Sequence, residues 1–294
     1  MERPLVSVLT VTRNRGNLLR RCVTSVLSQT YKNIEHIVVD GASDDNTDEV
    51  IAEFNDERLH FIKLESNWPL KKTFDYGVSL CKGKYITFLD SDDEYLAEKV
   101  EKQVNLIESL PEEYGFVYCW MTYFDTGNNN ALIKIHKPEL RGDANVQVVG
   151  YPVISGTPTL MFRIDLFRKL GGWKSIEEIG IASDWEMCAR ACQMCKVDYV
   201  PESLVNVYVN HGSVRQSESK KYYKDTYERQ IQFHQHFLTY FADNFARCPH
   251  LAAYHYYGIA MNYFHLKRYG FFIKNLMKAF QSNPRVTINK LMKK

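Results

Sequence analysis

The chain has 294 residues, of which 45% are hydrophobic and 24% are charged. These are ordinary values for a globular protein, and they exclude a disordered, collagen-like or disulfide-scaffold chain. The formal net charge of +2 is too balanced for a general nucleic-acid binder. The charge is unevenly placed, however: nine basic and no acidic residues lie from Asn244 onward, and 28 basic and 35 acidic residues precede it. This asymmetry indicates an acidic, cation-binding body and a carboxyl-terminal segment that favours anionic surfaces.

The cysteines and the apolar runs predict a cytoplasmic protein. Seven cysteines, an odd number in a long chain, do not make a disulfide framework. Glu2 and Arg13 interrupt the pattern expected of a signal peptide. The longest strongly apolar run, at 116–124, is far shorter than the roughly 20 residues of a spanning helix. Peripheral contact with the inner face of the plasma membrane stays open.

Strand and helix patterns alternate four times over the first 110 residues. The strands are predicted at 6–12, 34–39, 59–64 and 85–89. The helices are predicted at 18–27 with Asn17 as the N-cap, at 48–54, at 72–80 and at 95–110. This order predicts an α/β fold, a mostly parallel sheet with right-handed crossovers and helices on both faces.

The pattern changes twice in the rest of the chain. From 116 to about 208 the segments are β-rich around a helix that begins near Asp184, and after Val214 they are helical and aromatic-rich. We therefore divide the chain into two halves of one α/β domain, at 1–115 and 116–215, and a basic helical extension at 216–294.

Polar residues cluster where the predicted strands end, and ligands of such sheets bind at the carboxyl ends of the strands. Neither a GxGxxG nor a GxxxxGK[ST] motif is present. Instead, four carboxylates lie within the five residues 90–94. A divalent cation with oxygen ligands would relieve their mutual repulsion. The alternative is that Ser91 or Asp92 caps the following helix.

Several short segments, in one order, resemble the family-2 glycosyltransferases of the GT-A fold. They are Ser7–Asn14, Gln29–Tyr31, Ile37–Thr47, Gly83–Asp93, Met161–Arg163, Gly171–Trp173, Ser183–Glu186 and His211–Ser213. The resemblance covers about residues 5–215, and it implies that 1–115 is the nucleotide-sugar-binding half and 116–215 the acceptor-binding and catalytic half. It implies a metal-dependent enzyme that moves a sugar from a nucleotide-diphosphate donor, UDP-linked, to a hydroxyl of a glycan or lipid-linked acceptor, with inversion at the anomeric carbon.

The resemblance also assigns residues. Those expected to bind the nucleotide are Thr12, Asn14, Asp40, Asp90 and Ser91, and those expected at the Mn²⁺ or Mg²⁺ ion are Asp92 and His211. Asp184 corresponds to the general base that takes the proton of the acceptor hydroxyl. Gly172, Trp173 and Trp185 correspond to the acceptor side. Open alternatives are that Asp184 only caps a helix, that Asp40 only forms a turn, that His211 is an ordinary loop residue, and that the tryptophans fill the core.

Two departures from the family pattern concern the donor and the base. Ser183 stands where many relatives carry Glu, and Phe74–Gly77 stands where they often carry an Arg, Asn and Gly group. Because the arginine of that group is missing, the contacts to the diphosphate stay open, and Lys71 and Lys72 are the candidate substitutes. Cys188, Cys192 and Cys195 share a helical face, and we interpret them as buried thiols because their spacing does not suit structural zinc.

The basic extension has two interpretations. The apolar residues at 271–280 opposite Lys274 and Lys278 fit either an interfacial helix or a stripe packed on the body or on a second subunit, as in a homodimer. The rival function is a non-catalytic nucleotide-sugar-binding or scaffold protein of polysaccharide assembly. A nucleotidyltransferase is disfavoured because no glycine-rich phosphate loop is present near the amino terminus.

Overall fold

The computed structural model describes residues 3–154, 156–174, 183–210 and 220–292. The chain forms two compact units. The first comprises Met1–Asp143, Ile154–Trp173 and Met194–Gly212, and the second comprises Ala144–Val153, Lys174–Gln193 and Ser213–Lys294.

The first unit is an α/β structure. Its strands are β1 (Val6–Thr12), β2 (Ile34–Asp40), β3 (Leu59–Lys63), β4 (Tyr85–Phe88), β5 (Glu94–Tyr95), β6 (Tyr114–Asp125), β7 (Ala131–His136), β8 (Met161–Arg163) and β9 (Lys196–Val209). Its helices are α1 (Gly16–Leu27), α2 (Thr47–Ala52), α3 (Leu70–Leu80), α4 (Lys99–Ser109) and α6 (Ile164–Lys169). The four predicted strand–helix repeats are confirmed.

The described strands form one sheet in the order β3-β2-β1-β4-β8-β6-β9-β5, with β7 added on β6. The strands β3, β2, β1 and β4 are mutually parallel, as predicted. The remainder is mixed, because β8 runs antiparallel to both β4 and β6 while β9 runs parallel to β6. The carboxyl ends of β1, β2 and β4 therefore meet at one edge of the sheet.

The first sheet half is covered on both faces, and for this reason β1, β2 and β4 are buried almost throughout. Val6 and Val8 of β1 join a core cluster with the α1 stripe, whose Leu19, Cys22, Val23 and Val26 are fully buried. Leu9 points the other way, toward α3, where a Cβ on Gly77 would lie 2.5 Å from a Leu9 methyl. Only glycine lets α3 approach β1 so closely.

The predicted helix caps are wrong. Helix α1 begins at Gly16, before Asn17, and the Gly16 N–H is capped by the Asp45 carboxylate at 2.9 Å from the next loop. Helix α4 begins at Lys99, after strand β5, so neither Ser91 nor Asp92 caps it. In both places a tertiary contact replaces the local cap, which excludes the helix-cap explanation for the acidic turn.

The second unit is helical. It contains α5 (Gln147–Gly150), α7 (Ser183–Ala191), α8 (Lys220–Tyr240), α9 (Ala242–Arg247), α10 (Ala252–His265), α11 (Tyr269–Ser282) and α12 (Pro284–Met292). The predicted carboxyl-terminal helical extension is confirmed. Across the described ranges, no helix combines the length and the apolar character that crossing a membrane requires.

Candidate active site

The loops after β1 and β2 are tied together at the sheet edge. Thr12 and Asp40, the last residues of these strands, are register partners. The buried Asp40 carboxylate accepts hydrogen bonds from the backbone N–H, at 2.9 Å, and from the hydroxyl of Ser43. The Ser43 hydroxyl in turn accepts the Asn14 N–H at 2.8 Å, and Asn14 has a left-handed backbone with φ 52°. Asp40 thus shapes the two loops that the resemblance assigns to the nucleotide.

Thr12 carries a buried polar atom that suits a ligand. Its side chain is only 3% exposed, and among the described residues its hydroxyl has no hydrogen-bond partner. A buried unpaired hydroxyl costs about 1–3 kcal/mol. A nucleotide that bonded this hydroxyl would recover that free energy.

The acidic turn after β4 is divided between the fold and the site. Asp93 and Glu94 face β9: Asp93 accepts the Tyr208 N–H at 3.0 Å, while Glu94 accepts the Tyr208 hydroxyl at 2.8 Å and the Asn206 amide at 2.7 Å. Burial, together with the charges of Asp90 and Asp92, holds the pKa of Asp93 well above its usual range. Two of the four carboxylates therefore anchor the turn.

Two arginines of the α1 region face the same turn. The Arg15 guanidinium lies 2.9 Å from the Asp92 carboxylate. Arg21 donates to the Asp92 carbonyl and stacks on the Tyr208 ring at 3.6 Å. These contacts were not predicted, because Arg15 and Asp92 are far apart in sequence. The substitutes considered for the missing cation have other partners: Lys71 pairs with Asp75 and Lys72 lies over the Trp68 ring.

The candidate metal ligands suit a hard divalent cation only in part. Asp90 and Asp92 supply carboxylate oxygens, the ligand type that Mn²⁺ and Mg²⁺ accept. Within the described residues, however, no three His, Cys, Asp or Glu side chains are grouped to hold a metal. His211, the other expected ligand, lies outside the described residues. Further ligands would have to come from bound phosphate oxygens or from outside the described ranges.

A buried lysine supports β4 from behind. Lys99 is fully buried, donates to the Thr87 hydroxyl and lies 4.0 Å above the Tyr95 ring. Burial lowers the Lys99 pKa from 10.5 to about 7. Thr87 also donates to the Leu160 carbonyl at 2.6 Å, so the network joins α4, β4 and the segment before β8.

We expect Lys99→Met to stabilise the protein more at pH 7 than at pH 9. At pH values below the pKa of Lys99 in the folded protein, the buried charge lowers the unfolding free energy. This destabilisation disappears as the pH rises through that pKa and Lys99 loses its proton. The mutant is neutral throughout, so its advantage over the wild type in unfolding free energy should shrink by about 2 kcal/mol from pH 7 to 9. Urea unfolding at both pH values measures this. Lys102→Met, on the exposed side of α4, is the control and should show a constant difference; a constant difference for Lys99→Met would contradict the prediction.

In the second unit, Asp184 lies in the first turn of α7, where its carboxylate accepts the Trp185 N–H at 2.8 Å. The rest of α7 is firmly anchored. The fully buried Glu186 binds the Arg190 guanidinium at 2.8 Å and lies 3.3 Å from the His236 ring nitrogen. This anchoring fixes the start of the helix, and with it Asp184.

The residues assigned to the acceptor side are mostly buried. Trp173 packs edge-on against Phe88 and Phe167. Trp185 packs against Phe237 and donates its indole N–H to the Val148 carbonyl at 2.6 Å. The two rings are 6% and 3% exposed, a geometry that favours the core alternative for both. Gly172 has φ 65°, a conformation that favours glycine in this turn.

The predicted thiols of α7 are also in the interior. Cys188 and Cys192 are buried, and Cys195, just after the helix, is partly buried. Burial raises the Cys195 pKa to about 11, which keeps this thiol protonated at neutral pH.

Ser91, which the resemblance assigns to the nucleotide, lies in the acidic turn and is only 2% exposed.

The sequence of the first unit matches a family model. The model for glycosyl transferase family 2 matches residues 7–171, more than half of the chain and all of the strand-end residues described above. The chain belongs to glycosyl transferase family 2. The sequence resemblance is thereby confirmed at the level of the family.

Individual relatives agree with this assignment. An uncharacterised glycosyltransferase of Rickettsia typhi is 29% identical over 70% of this chain and 64% of its own length. The putative teichuronic acid biosynthesis glycosyltransferase TuaG of Bacillus subtilis is 36% identical over 47% of this chain and 54% of its own. The matches thus span about half to two thirds of these relatives.

Solved structures confirm the fold. TarS of S. aureus, crystallised with UDP-GlcNAc, superposes with a TM-score of 0.68 over 96% of this chain and 82% of that chain, at 18% identity. The mannosyltransferase PcManGT of Pyrobaculum calidifontis, in complex with GDP-Man and Mn²⁺, gives 0.59 over 99% of this chain and 79% of that chain, at 16% identity. The likeness is one of fold, a GT-A-type curled sheet with helices.

Proposed function

We propose that the protein is an inverting glycosyltransferase that uses a nucleotide-diphosphate sugar, UDP-linked, as donor. The observation that carries the proposal is the composition of one sheet edge within the family segment. There the buried hydroxyl of Thr12, which has no hydrogen-bond partner in the described part of the chain, ends β1, and the carboxylates of Asp90 and Asp92 follow β4. Ligands bind at such edges, which are the carboxyl ends of parallel strands.

In this proposal Thr12 and Asn14 bind the base and ribose, Asp40 holds their loops and Asp90 and Ser91 complete the nucleotide site. Asp92, and His211 outside the described residues, would hold Mn²⁺ or Mg²⁺. When bound, such an ion stabilises the charge that grows on the departing diphosphate. We assign to Arg15 the diphosphate contact of the arginine that the family often carries in the region of α3: the Arg15 guanidinium lies beside Asp92 and would bind diphosphate oxygens of the donor.

Asp184 is proposed as the general base. It would accept the proton of the acceptor hydroxyl while that oxygen attacks the anomeric carbon and the carbon–diphosphate bond breaks, so that one displacement inverts the centre. Its place at the start of a firmly anchored helix supports this role, because a base must be held within hydrogen-bond reach of its proton. Gly172, in the first unit, is proposed on the acceptor side, where its φ of 65° shapes the turn before Trp173.

Two relatives support a class of acceptor. WfgD of Escherichia coli, 32% identical over 45% of this chain and 51% of its own length, is named as a glucosyltransferase that acts on a GlcNAc-diphosphoundecaprenol. Together with TuaG, this supports a glycan or lipid-linked oligosaccharide acceptor in polysaccharide biosynthesis. An enzyme with such an acceptor would work in the cytoplasm, at the inner face of the plasma membrane.

A thermal-shift screen with UDP-, GDP- and CDP-sugars tests the donor. In the presence of Mn²⁺ we expect a UDP-sugar at a hundredfold excess over its Kd to add about 2.7 kcal/mol of stability, several degrees in Tm. GDP- and CDP-sugars should add less. A GDP-sugar with the largest shift would overturn the uridine assignment.

A second measurement distinguishes an enzyme from a binding module. The enzyme should also release UDP slowly from its donor by hydrolysis. Binding that never leads to sugar release or transfer would favour the rival, a non-catalytic nucleotide-sugar-binding protein. No shift with any nucleotide sugar would contradict both.

A further inference from the structure

Helix α11 carries an exposed apolar stripe. Tyr269, Ile273 and Met277 follow one another at intervals of four residues and therefore lie on one side of the helix. They are 54%, 56% and 57% exposed, unusually high for large apolar side chains that recur on one helix side. We call these three residues the α11 stripe.

The opposite side of α11 already has a packing partner. Ala279 is buried, Phe271 stacks on Tyr263 of α10 at 5.0 Å and Phe272 contacts Phe264 of α10 at 5.3 Å. An amphipathic helix normally turns its apolar side inward. Because α11 is anchored through these residues, the α11 stripe is a second apolar side rather than a misplaced core.

Helix α12 also exposes large apolar side chains. Ile288 is 44% exposed, Leu291 39% and Met292 80%. Together with the α11 stripe, they make up six of the fifteen large apolar side chains that are exposed among the described residues. Such clustering marks an interaction surface.

The charged side chains of α11 and α12 themselves are all basic. Lys274 and Lys278 follow Ile273 and Met277 in sequence, are exposed, and so flank the α11 stripe. From Asn244 to the last residue the sequence has nine basic and no acidic residues. A partner must therefore offer both an apolar layer and negative charge.

We propose that α11 and α12 dock on a bilayer that contains anionic lipid, with the α11 stripe inserted among the lipids and the lysines at the headgroups. This combination characterises helices that lie in the membrane interface. A second copy fits poorly, because a two-fold contact would set the same lysines against each other. A nucleic acid fits poorly as well, since it offers nothing to an Ile and Met stripe.

Flotation of the full chain with vesicles tests this proposal. We expect binding to 70:30 phosphatidylcholine:phosphatidylglycerol vesicles and little binding to phosphatidylcholine alone. Lys274→Gln with Lys278→Gln should weaken the partition coefficient about 25-fold, since each lysine near an anionic surface contributes about fivefold. Ile273→Gln with Met277→Gln should weaken it at least about tenfold.

The matched controls lie on β7 and directly after it, where apolar and basic side chains are also exposed. Leu132→Gln with Ile135→Gln, and Lys134→Gln with Lys137→Gln, should leave flotation unchanged. Equal loss in these controls, or wild-type flotation with neither vesicle, overturns the proposal. So does a wild-type dimer in sedimentation that the stripe variant dissociates. Thermal shift with UDP should be the same in all variants, which separates this outcome from a failure of the proposed enzyme function.

Discussion

Replacing Asp184 with Asn should reduce sugar transfer about 10²- to 10⁴-fold while leaving the affinity for UDP nearly intact. This is the range that a general base contributes to the rate. An amide of the same shape cannot accept the proton, yet it keeps an oxygen that can accept the Trp185 N–H. The separation of kcat from donor affinity identifies the base, because a residue needed only for folding or nucleotide binding would change both. Single-turnover transfer and UDP calorimetry on the same preparation provide the two values.

Asp165→Asn is the matched control for this experiment. Asp165 is also an acid in the first turn of a helix, α6, and is exposed. Both variants lose the interaction of a carboxylate with the helix dipole, about 0.3–1 kcal/mol. Only Asp184→Asn should lose turnover. Normal turnover by Asp184→Asn would remove Asp184 as the base, and an equal loss in both variants would point to helix stability.

Much of the first sheet half could be predicted because its signals are local. The segments of β1, β2 and β4 are rich in apolar and β-branched residues, and the stripe of α1 repeats with helical period, so both follow from the sequence. The antiparallel insertion of β8 between β4 and β6 could not be predicted, because pairing partners depend on contacts between distant segments. The caps failed for the same reason: the group that caps Gly16 belongs to Asp45, in another loop.

The candidate site was predictable as a set of acids but not as a set of roles. The sequence shows four carboxylates in the turn after β4, and only the structure divides them into Asp93 and Glu94, which bind β9, and Asp90 and Asp92 at the site. The sequence likewise could not reveal that Trp173 and Trp185 are buried. Arg15 was visible only as one of several basic residues after β1, since its importance lies in its contact with Asp92.

The contact between Arg15 and Asp92 couples metal binding at Asp92 to the position of the Arg15 guanidinium. The Arg15 and Asp92 side chains are 38% and 15% exposed, so the pair is partly screened by solvent and contributes at most about 1 kcal/mol. A metal ion that binds Asp92 must displace or share this guanidinium. Arg15 should therefore oppose metal binding before the donor arrives and favour donor binding afterwards, when it can move to the diphosphate.

Arg15→Ala and Asp92→Ala should accordingly change Mn²⁺ affinity in opposite directions. Without nucleotide, Arg15→Ala should bind Mn²⁺ up to about fivefold more tightly, as expected from the lost ion pair. It should bind UDP about ten- to a hundredfold more weakly, the value of a charge-assisted hydrogen bond. Asp92→Ala should lose the enhancement of UDP binding by Mn²⁺. Electron paramagnetic resonance of free Mn²⁺ and calorimetry with UDP measure both quantities without turnover. Arg20→Ala, which removes an exposed partner of Glu53 from α1, should change neither. Weaker Mn²⁺ binding by Arg15→Ala would contradict the idea that Arg15 competes with the metal ion for Asp92. Unchanged UDP affinity would mean that Arg15 does not contact the diphosphate.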